Sequence, residues 1–230
     1  MSAISQSPLQ RMLAKRDWIL ADGATGTNLF NMGLSSGDAP ELWNDTAPDK
    51  IKALYKGSVD AGSDLFLTNS FGGNRSRLKL HGAEARAAEL SRISAQIGRE
   101  VADASGRAVI VAGSVGPTGE IMEPMGPLSY AVAVEILHEQ AEGLKAGGAD
   151  VAWVETISFG DEYRIGRSET PHPHHRLSRP RLHVRDVVFE GRFLDEARAS
   201  HLVGVIVDID IPEIREITEK GNNFALLPRI

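Results

Sequence analysis

Short apolar runs recur through residue 163, and each is followed by a longer stretch whose apolar positions return every third or fourth residue. The first run, Trp18-Ile-Leu-Ala21, ends on the turn signal Asp22-Gly23. Residues 65–68, 109–112 and 151–154 repeat it. None of them alternates apolar with polar, so each reads as a strand buried on both faces. Between them, Ile51, Leu54, Tyr55 and Val59 give helical spacing over residues 49–62, with Gly62 as its stop. A longer helical pattern covers 75–104 with a break near Gly82, and another covers 128–146.

Strand and helix alternating four times predict an α/β fold, a parallel sheet covered by helices. Periodicity leaves open a doubly wound sheet and a (β/α)8 barrel of the TIM type. A barrel takes about 250 residues and eight units, so four units would be its first half. The pattern stops after Tyr163. Residues 164–185 contain six arginines, four of the seven histidines, three prolines and one acidic residue, with no apolar period. The chain therefore divides into a strand–helix region over 1–163, an irregular Arg/His/Pro-rich segment over 164–185, and an atypical α/β segment over 186–230. In that last segment a strand and short helix are expected over 186–199, a strand over 201–208, and a helix over 212–220 begun by Pro212 and ended by Gly221.

Composition narrows the partners. A net charge of −6 gives no electrostatic reason to expect nucleic acid or an anionic membrane. No apolar run approaches the length that spans a bilayer, and the first residues lack the continuous apolar core of a signal peptide, so a cytoplasmic address is the expectation. There is no cysteine, which removes disulfides, thiolate nucleophiles and thiolate metal sites together.

In a strand–helix alternation the strand C-termini gather on one face, and polar residues there converge. Asp22-Gly-Ala-Thr-Gly-Thr27 places a carboxylate and glycines at the first such end. Asn69 and Ser70 follow the second strand, and Glu155 follows the fourth. Singly, each is also what an ordinary turn or a solvated surface acid looks like. Together they would line one pocket with two acids and neutral hydrogen-bonding groups, which suits a small zwitterion whose ammonium needs carboxylate partners. Gly113-Ser-Val-Gly-Pro-Thr-Gly119 invites a phosphate-loop reading, yet it lacks the Gly-Lys-Ser/Thr ending and has no basic residue nearby in sequence. Met122, Met125 and the prolines at 117, 124 and 127 suggest an ordered loop over the strand ends, either a substrate lid or packing.

With Pro40-Glu-Leu-Trp43, Thr68-Asn-Ser-Phe71, Gly113-Ser-Val-Gly-Pro117 and Val154-Glu-Thr156 added to the first segment, five elements in order over residues 17–163 resemble the homocysteine S-methyltransferase family. That family includes betaine–homocysteine methyltransferases and the N-terminal domain of cobalamin-dependent methionine synthase. The resemblance implies a (β/α)8 barrel that takes a methyl group from a small donor (betaine-like, S-methylmethionine, or a folate or cobalamin system) to homocysteine, giving methionine. It places homocysteine at the C-terminal face of the strands, with Asp22 and Glu155 near its ammonium and Asn69 and neighbouring backbone amides holding it. The expected substrate-binding residues are Asp22, Gly23, Thr25, Asn69, Ser70 and Glu155.

The same resemblance implies a zinc ion, which lowers the thiol pKa so that homocysteine reacts as a thiolate. Its three family ligands are cysteines of the second half of the barrel, and this chain has none. His172, His174 and His175 have the ligand type, but they lie in the Pro/Arg-rich segment with no strand to fix their geometry, and a solvated segment is the preferred reading. His81 and His138 fall in helical patterns and read as surface residues. No nucleophile or base pair stands out, so no catalytic residue is assigned. Zinc-dependent transfer by this chain is expected to be negligible, as a shifted reading frame or gene rearrangement after Tyr163 would explain. The alternative is a non-catalytic protein that binds a small amino acid or assembles, as a homo-oligomer, through the open edges of a half-barrel.

Overall fold

Strand and helix alternate as expected over residues 48–154, where three parallel strands pair in the order of their appearance. The structure, a computed structural model, describes residues 7–15 and 18–156 in full and the backbone of 187–191 and 202–208. β1 (Leu65–Leu67), β2 (Ile110–Val115) and β3 (Val151–Val154) are parallel neighbours, with Leu65 opposite Ile110 and Ala112 opposite Val151. The outer edge of β3 carries β5 (Leu202–Asp208), and β4 (Val187–Gly191) pairs with β5, both antiparallel. The expected parallel sheet is present in β1–β3, and two antiparallel strands from the C-terminal segment extend it. β5 occupies the edge of β3, so among the described residues the outermost strand on that side is β4.

The expected strand over 18–21 is reduced to a single parallel bridge, Ala21 to Leu65. A tertiary contact accounts for this: the Asp64 carboxylate accepts the Leu20 N–H at 2.9 Å, replacing a ladder partner. The Leu20 carbonyl still accepts from Asp64 N at 2.7 Å, so the segment runs alongside β1 and delivers Asp22 to its C-terminal end.

Alternate side chains of the strands pack to opposite faces. Phe66 and Val111 face α4 (Pro48–Asp60) and α6 (Ala87–Ala104), joining Ile51, Tyr55, Val59, Ile97 and Val101 in the main core. Leu65, Ile110, Ala112 and Val151 face the other way, against Leu9 of α1 (Pro8–Leu13), whose start is fixed by a reciprocal Ser7–Gln10 capping box. The break near Gly82 is real and wider than one residue. α5 (Arg75–Leu78) ends in a 3-10 turn at Lys79–His81, Gly82 has φ 64°, and a second 3-10 turn at Glu84–Arg86 leads into α6.

α7 (Tyr130–Ala146) begins at Ser129, whose hydroxyl accepts the Val132 N–H, and lies against α6 through Gly143. A Cβ there would stand 2.4 Å from the Ala88 carbonyl, so only glycine permits this approach. β2 is longer than expected and takes Gly113, Ser114 and Val115 into the sheet, all buried. Met122 packs with Leu128, Ala133 and Ile136 at the start of α7, while Met125 is exposed, and neither methionine lines the cleft described below. The helix expected over 212–220, the segment 164–185 and the candidate metal residues His172, His174 and His175 lie outside the described residues.

Candidate functional site

A cleft of about 1030 Å³ opens at the C-terminal ends of the parallel strands. Residues expected from separate stretches of sequence meet in it: Asp22, Gly23, Thr25, Asn69, Ser70 and Glu155 all line its wall. Gly23 and Gly26 sit where an added Cβ would meet nothing within 4 Å, so packing does not demand glycine and the space before them is open. Thr25 begins the short helix α2 (Thr25–Asn31).

Asp22 and Glu155 form the chemically distinctive part. Asp22 Oδ2 accepts the Leu67 N–H at 3.2 Å, while its buried Oδ1 has no hydrogen-bond partner. Burial pushes the Asp22 carboxyl from its ordinary 3.8 up to about 7; the Leu67 N–H opposes this, and the charge of Glu155 adds to it. Glu155 Oε1 accepts the Ser114 hydroxyl at 2.8 Å, and burial raises its pKa against that bond. Two desolvated acids at the C-terminal side of the sheet, on segments separated by β1 and β2 but close enough for the charge of Glu155 to act on Asp22, and one with an unpartnered oxygen, are arranged for a cation that would satisfy both.

Asn69 and Ser70 have a different place. Asn69 Nδ2 donates to the Pro40 carbonyl at 2.8 Å and to Asn44 Oδ1 at 2.9 Å. Asn44 returns a bond to the Asn69 carbonyl, and the Asn69 N–H donates to the Tyr55 hydroxyl at 2.6 Å. Ser70 Oγ lies 2.6 Å from Thr68 Oγ1 and donates to the Ser114 carbonyl at 2.8 Å. Gln140 of α7 donates to the Ser70 carbonyl at 2.5 Å. These side chains brace the floor of the cleft, with the Asn69 amide nitrogen and the Ser70 hydroxyl both engaged inside the protein.

Asn44, Tyr55 and Gln140 were not singled out from sequence. Gln140 carried a legible signal, being a polar residue in the helical stripe of Ala133, Ile136, Leu137 and Leu144 that is otherwise apolar. Glu41 was quoted only as part of a motif. It is a buried third acid of the cleft, and its Oε1 accepts the Gly72 N–H at 2.7 Å. Burial raises its pKa, opposed by its own N–H and that of Gly72 and by Arg77 and His81. His81 is exposed, as expected, and stands on the rim of this cleft with Arg77. Arg77 also lies against Gly119, so the fold brings a cation to the glycine loop that has none nearby in sequence.

A thiolate-bound zinc does not fit the residues present. The chain has no cysteine, and among the described residues no group of three His, Cys, Asp or Glu side chains could hold a metal ion. Among them, too, no helix is long and apolar enough to cross a membrane.

Comparison with known proteins supplies the family. Methionine synthase of Mycobacterium tuberculosis is 36% identical over 147 residues, 60% of this chain and 12% of that protein. Homocysteine S-methyltransferase of Escherichia coli is 28% identical over 188 residues, 74% of this chain and 60% of that protein. Crystal structures of the Escherichia coli homocysteine methyltransferase MmuM superpose on 70% of this chain in the oxidized form (TM-score 0.60, 26% identity) and 69% in the metallated form (TM-score 0.59, 26% identity), each covering 60% of that protein. The chain thus spans about an eighth of the length of the methionine synthase and three-fifths of the homocysteine methyltransferase. The sequence profile of the homocysteine S-methyltransferases matches residues 19–182, well over half of the chain, and the chain belongs to the homocysteine S-methyltransferase family.

Proposed function

We propose that the cleft binds homocysteine, with its ammonium group between Asp22 and Glu155, and that residues 1–163 are the opening units of a (β/α)8-type barrel. The observation that carries this reading is the pair of half-buried carboxylates at strand ends on one side of the sheet, with Asp22 Oδ1 unpartnered and the charge of Glu155 felt by Asp22. An ammonium offers three donors and a positive charge to such a pair. Gly23, Thr25 and the open space before Gly26 leave room for the rest of the amino acid, and Asn69 and Ser70 serve by holding the floor rigid.

Methyl transfer to homocysteine needs its sulfur as a thiolate, because the neutral thiol is a poor nucleophile. Among the described residues no group of three His, Cys, Asp or Glu side chains could hold a metal for this, and the carboxylates have the wrong charge to stabilise a thiolate. The reading is therefore a substrate-binding member of the family whose methyl transfer, from whichever small donor, is negligible in this chain alone. The absence of cysteine favours a second reading, a protein that binds a small amino acid without turning it over.

Calorimetric titration with L-homocysteine, paired with an assay for methionine in the presence of S-methylmethionine or glycine betaine, tests both. Saturable binding lost in Asp22→Asn, without methionine, is the expected outcome. Methionine formation by the purified chain that disappears in Asp22→Ala would show that transfer proceeds here and overturn the inactive assignment. Homocysteine binding that is indifferent to Asp22 would overturn the ammonium site.

A further inference from the structure

We propose that a second cleft, at the opposite end of the sheet, is a docking groove for the chain's own acidic segment 209–220, which follows β5. This interaction rests on charge, pattern and strand register at that end and is independent of the function proposed above.

The cleft, of about 980 Å³, lies where β2 and β3 begin, between α1 and the last turn of α6. Pro8, Met12, Ala108 and Val109 give it apolar wall. Arg11, Lys15, Arg99 and Arg107 also line it, against only two acids, Asp103 and Asp150. Both acids are already engaged by Arg99, whose Nε stands 2.9 Å from Asp103 and whose Nη1 stands 2.9 Å from Asp150. Asp150 also accepts the Val111 N–H at 2.8 Å. Arg107 donates to two neutral groups, the Val59 and Ser63 carbonyls, and lies 3.6 Å from Asp64. Arg11 and Lys15 are exposed, and among the described residues the Lys15 ammonium has no partner. In a chain of net charge −6, this mouth is a local excess of positive charge.

Register decides which segment reaches it. β5 runs antiparallel to β3 and ends at Asp208, opposite Val151, the residue after Asp150 of the cleft wall. The chain therefore leaves β5 at this end of the sheet, away from the Asp22 and Glu155 cleft. Residues 209–220, outside the described residues, have the matching pattern. Asp210, Glu213, Glu216 and Glu219 recur at every third position against Arg215 and Lys220, and Ile211, Ile214 and Ile217 each follow one of the first three acids. Carboxylates meeting the cationic mouth and isoleucines meeting the apolar wall both favour docking. A free phosphate or a foreign acidic peptide lacks the tether, whereas a segment joined beside the cleft is present at an effective concentration in about the millimolar range.

The test is hydrogen exchange of the full chain, read by mass spectrometry and corrected for intrinsic rates, with the amides of α6 as the control for folding. Arg11→Glu with Lys15→Glu is expected to speed exchange over 209–220 at least about fivefold, since two attractions become repulsions. Glu213→Lys with Glu216→Lys should do the same, and all four substitutions together should return exchange to within about twofold of wild type. Unprotected amides over 209–220 in wild type, no response to the cleft reversal, or no restoration in the fourfold variant would each overturn the docking. Protection that grows with protein concentration would assign the groove to the segment of a second copy and overturn docking within one chain. The absence of native cysteine allows an independent measurement. A short bismaleimide should cross-link Lys15→Cys/Glu213→Cys within one chain at least about tenfold faster than Leu80→Cys/Glu213→Cys, as a raised effective concentration requires, because exposed Leu80 lines the cleft at the other end of the sheet. Equal rates would place the segment elsewhere.

Discussion

Asp22→Asn should make the protein more stable at alkaline pH, because the wild-type acid is held in a place that disfavours its charge. The Asp22 carboxyl rises from its ordinary 3.8 to about 7 on folding, chiefly through burial. A group whose folded pKa is raised gives its full stabilisation below the unfolded pKa and loses it as pH climbs through the folded value. With about 1.36 kcal/mol for each pH unit between the two pKa values, the loss approaches about 4 kcal/mol above pH 8. Between pH 5 and pH 8 it amounts to about 2–3 kcal/mol. Asparagine keeps an oxygen for the Leu67 N–H and cannot ionise, so it escapes that loss. Urea unfolding of both proteins at pH 5 and pH 8 isolates the effect. The gain of Asp22→Asn over wild type should grow by about 2–3 kcal/mol across the interval, other groups cancelling in the double difference. Growth below about 0.5 kcal/mol, within the error of such extrapolations, would refute the claim that Asp22 is desolvated and raised.

Binding should show the same proton. An ammonium favours the carboxylate form, so homocysteine is expected to release about half a proton at pH 7 and almost none at pH 8.5, measured by titration in buffers of different ionisation enthalpy. A pH-independent value of zero would remove Asp22 from the contact. Asn44→Ala strips partners from the Asn69 and Leu90 carbonyls and from Asn69 Nδ2 together, and should cost about 2–4 kcal/mol of stability, read as a fall in denaturation midpoint. Gly143→Ala drives a methyl toward the Ala88 carbonyl; α7 must shift on α6, at about 1–3 kcal/mol by the same measurement. Mass spectrometry of the dialysed protein should find substoichiometric zinc, since no thiolate exists to hold it; one tightly held zinc per chain would mean that histidine or carboxylate ligands have assembled.

What could be read along the chain was whatever local sequence spacing controls. The apolar period of Ile51, Tyr55 and Val59 made α4 legible, the run at Val151–Val154 made β3 legible, and Gly82 marked the interruption before α6. Asp22 and Glu155 could be named as a pair because parallel strands carry their C-termini to one face whatever separates them in sequence. Motif order was enough for the family, and composition alone established that thiolate ligands are absent.

Tertiary contacts decided the rest, because they join groups far apart in sequence. Asp64 takes the Leu20 N–H from across 44 residues and so reduces the first strand to a bridge. Asn69 and Ser70 line the cleft, but Asn44, Tyr55 and Gln140, from three different helices, engage the Asn69 amide nitrogen and backbone and the Ser70 carbonyl inside the protein, which no local spacing showed. The raised pKa of Asp22 follows from burial, which no spacing encodes. Arg77 gains its access to the cleft only where Gly119, 42 positions later, leaves the space in which its guanidinium lies. Sequence determined which chemical groups the chain possesses and the elements that carry them; packing determined which of those groups remain free to meet a ligand.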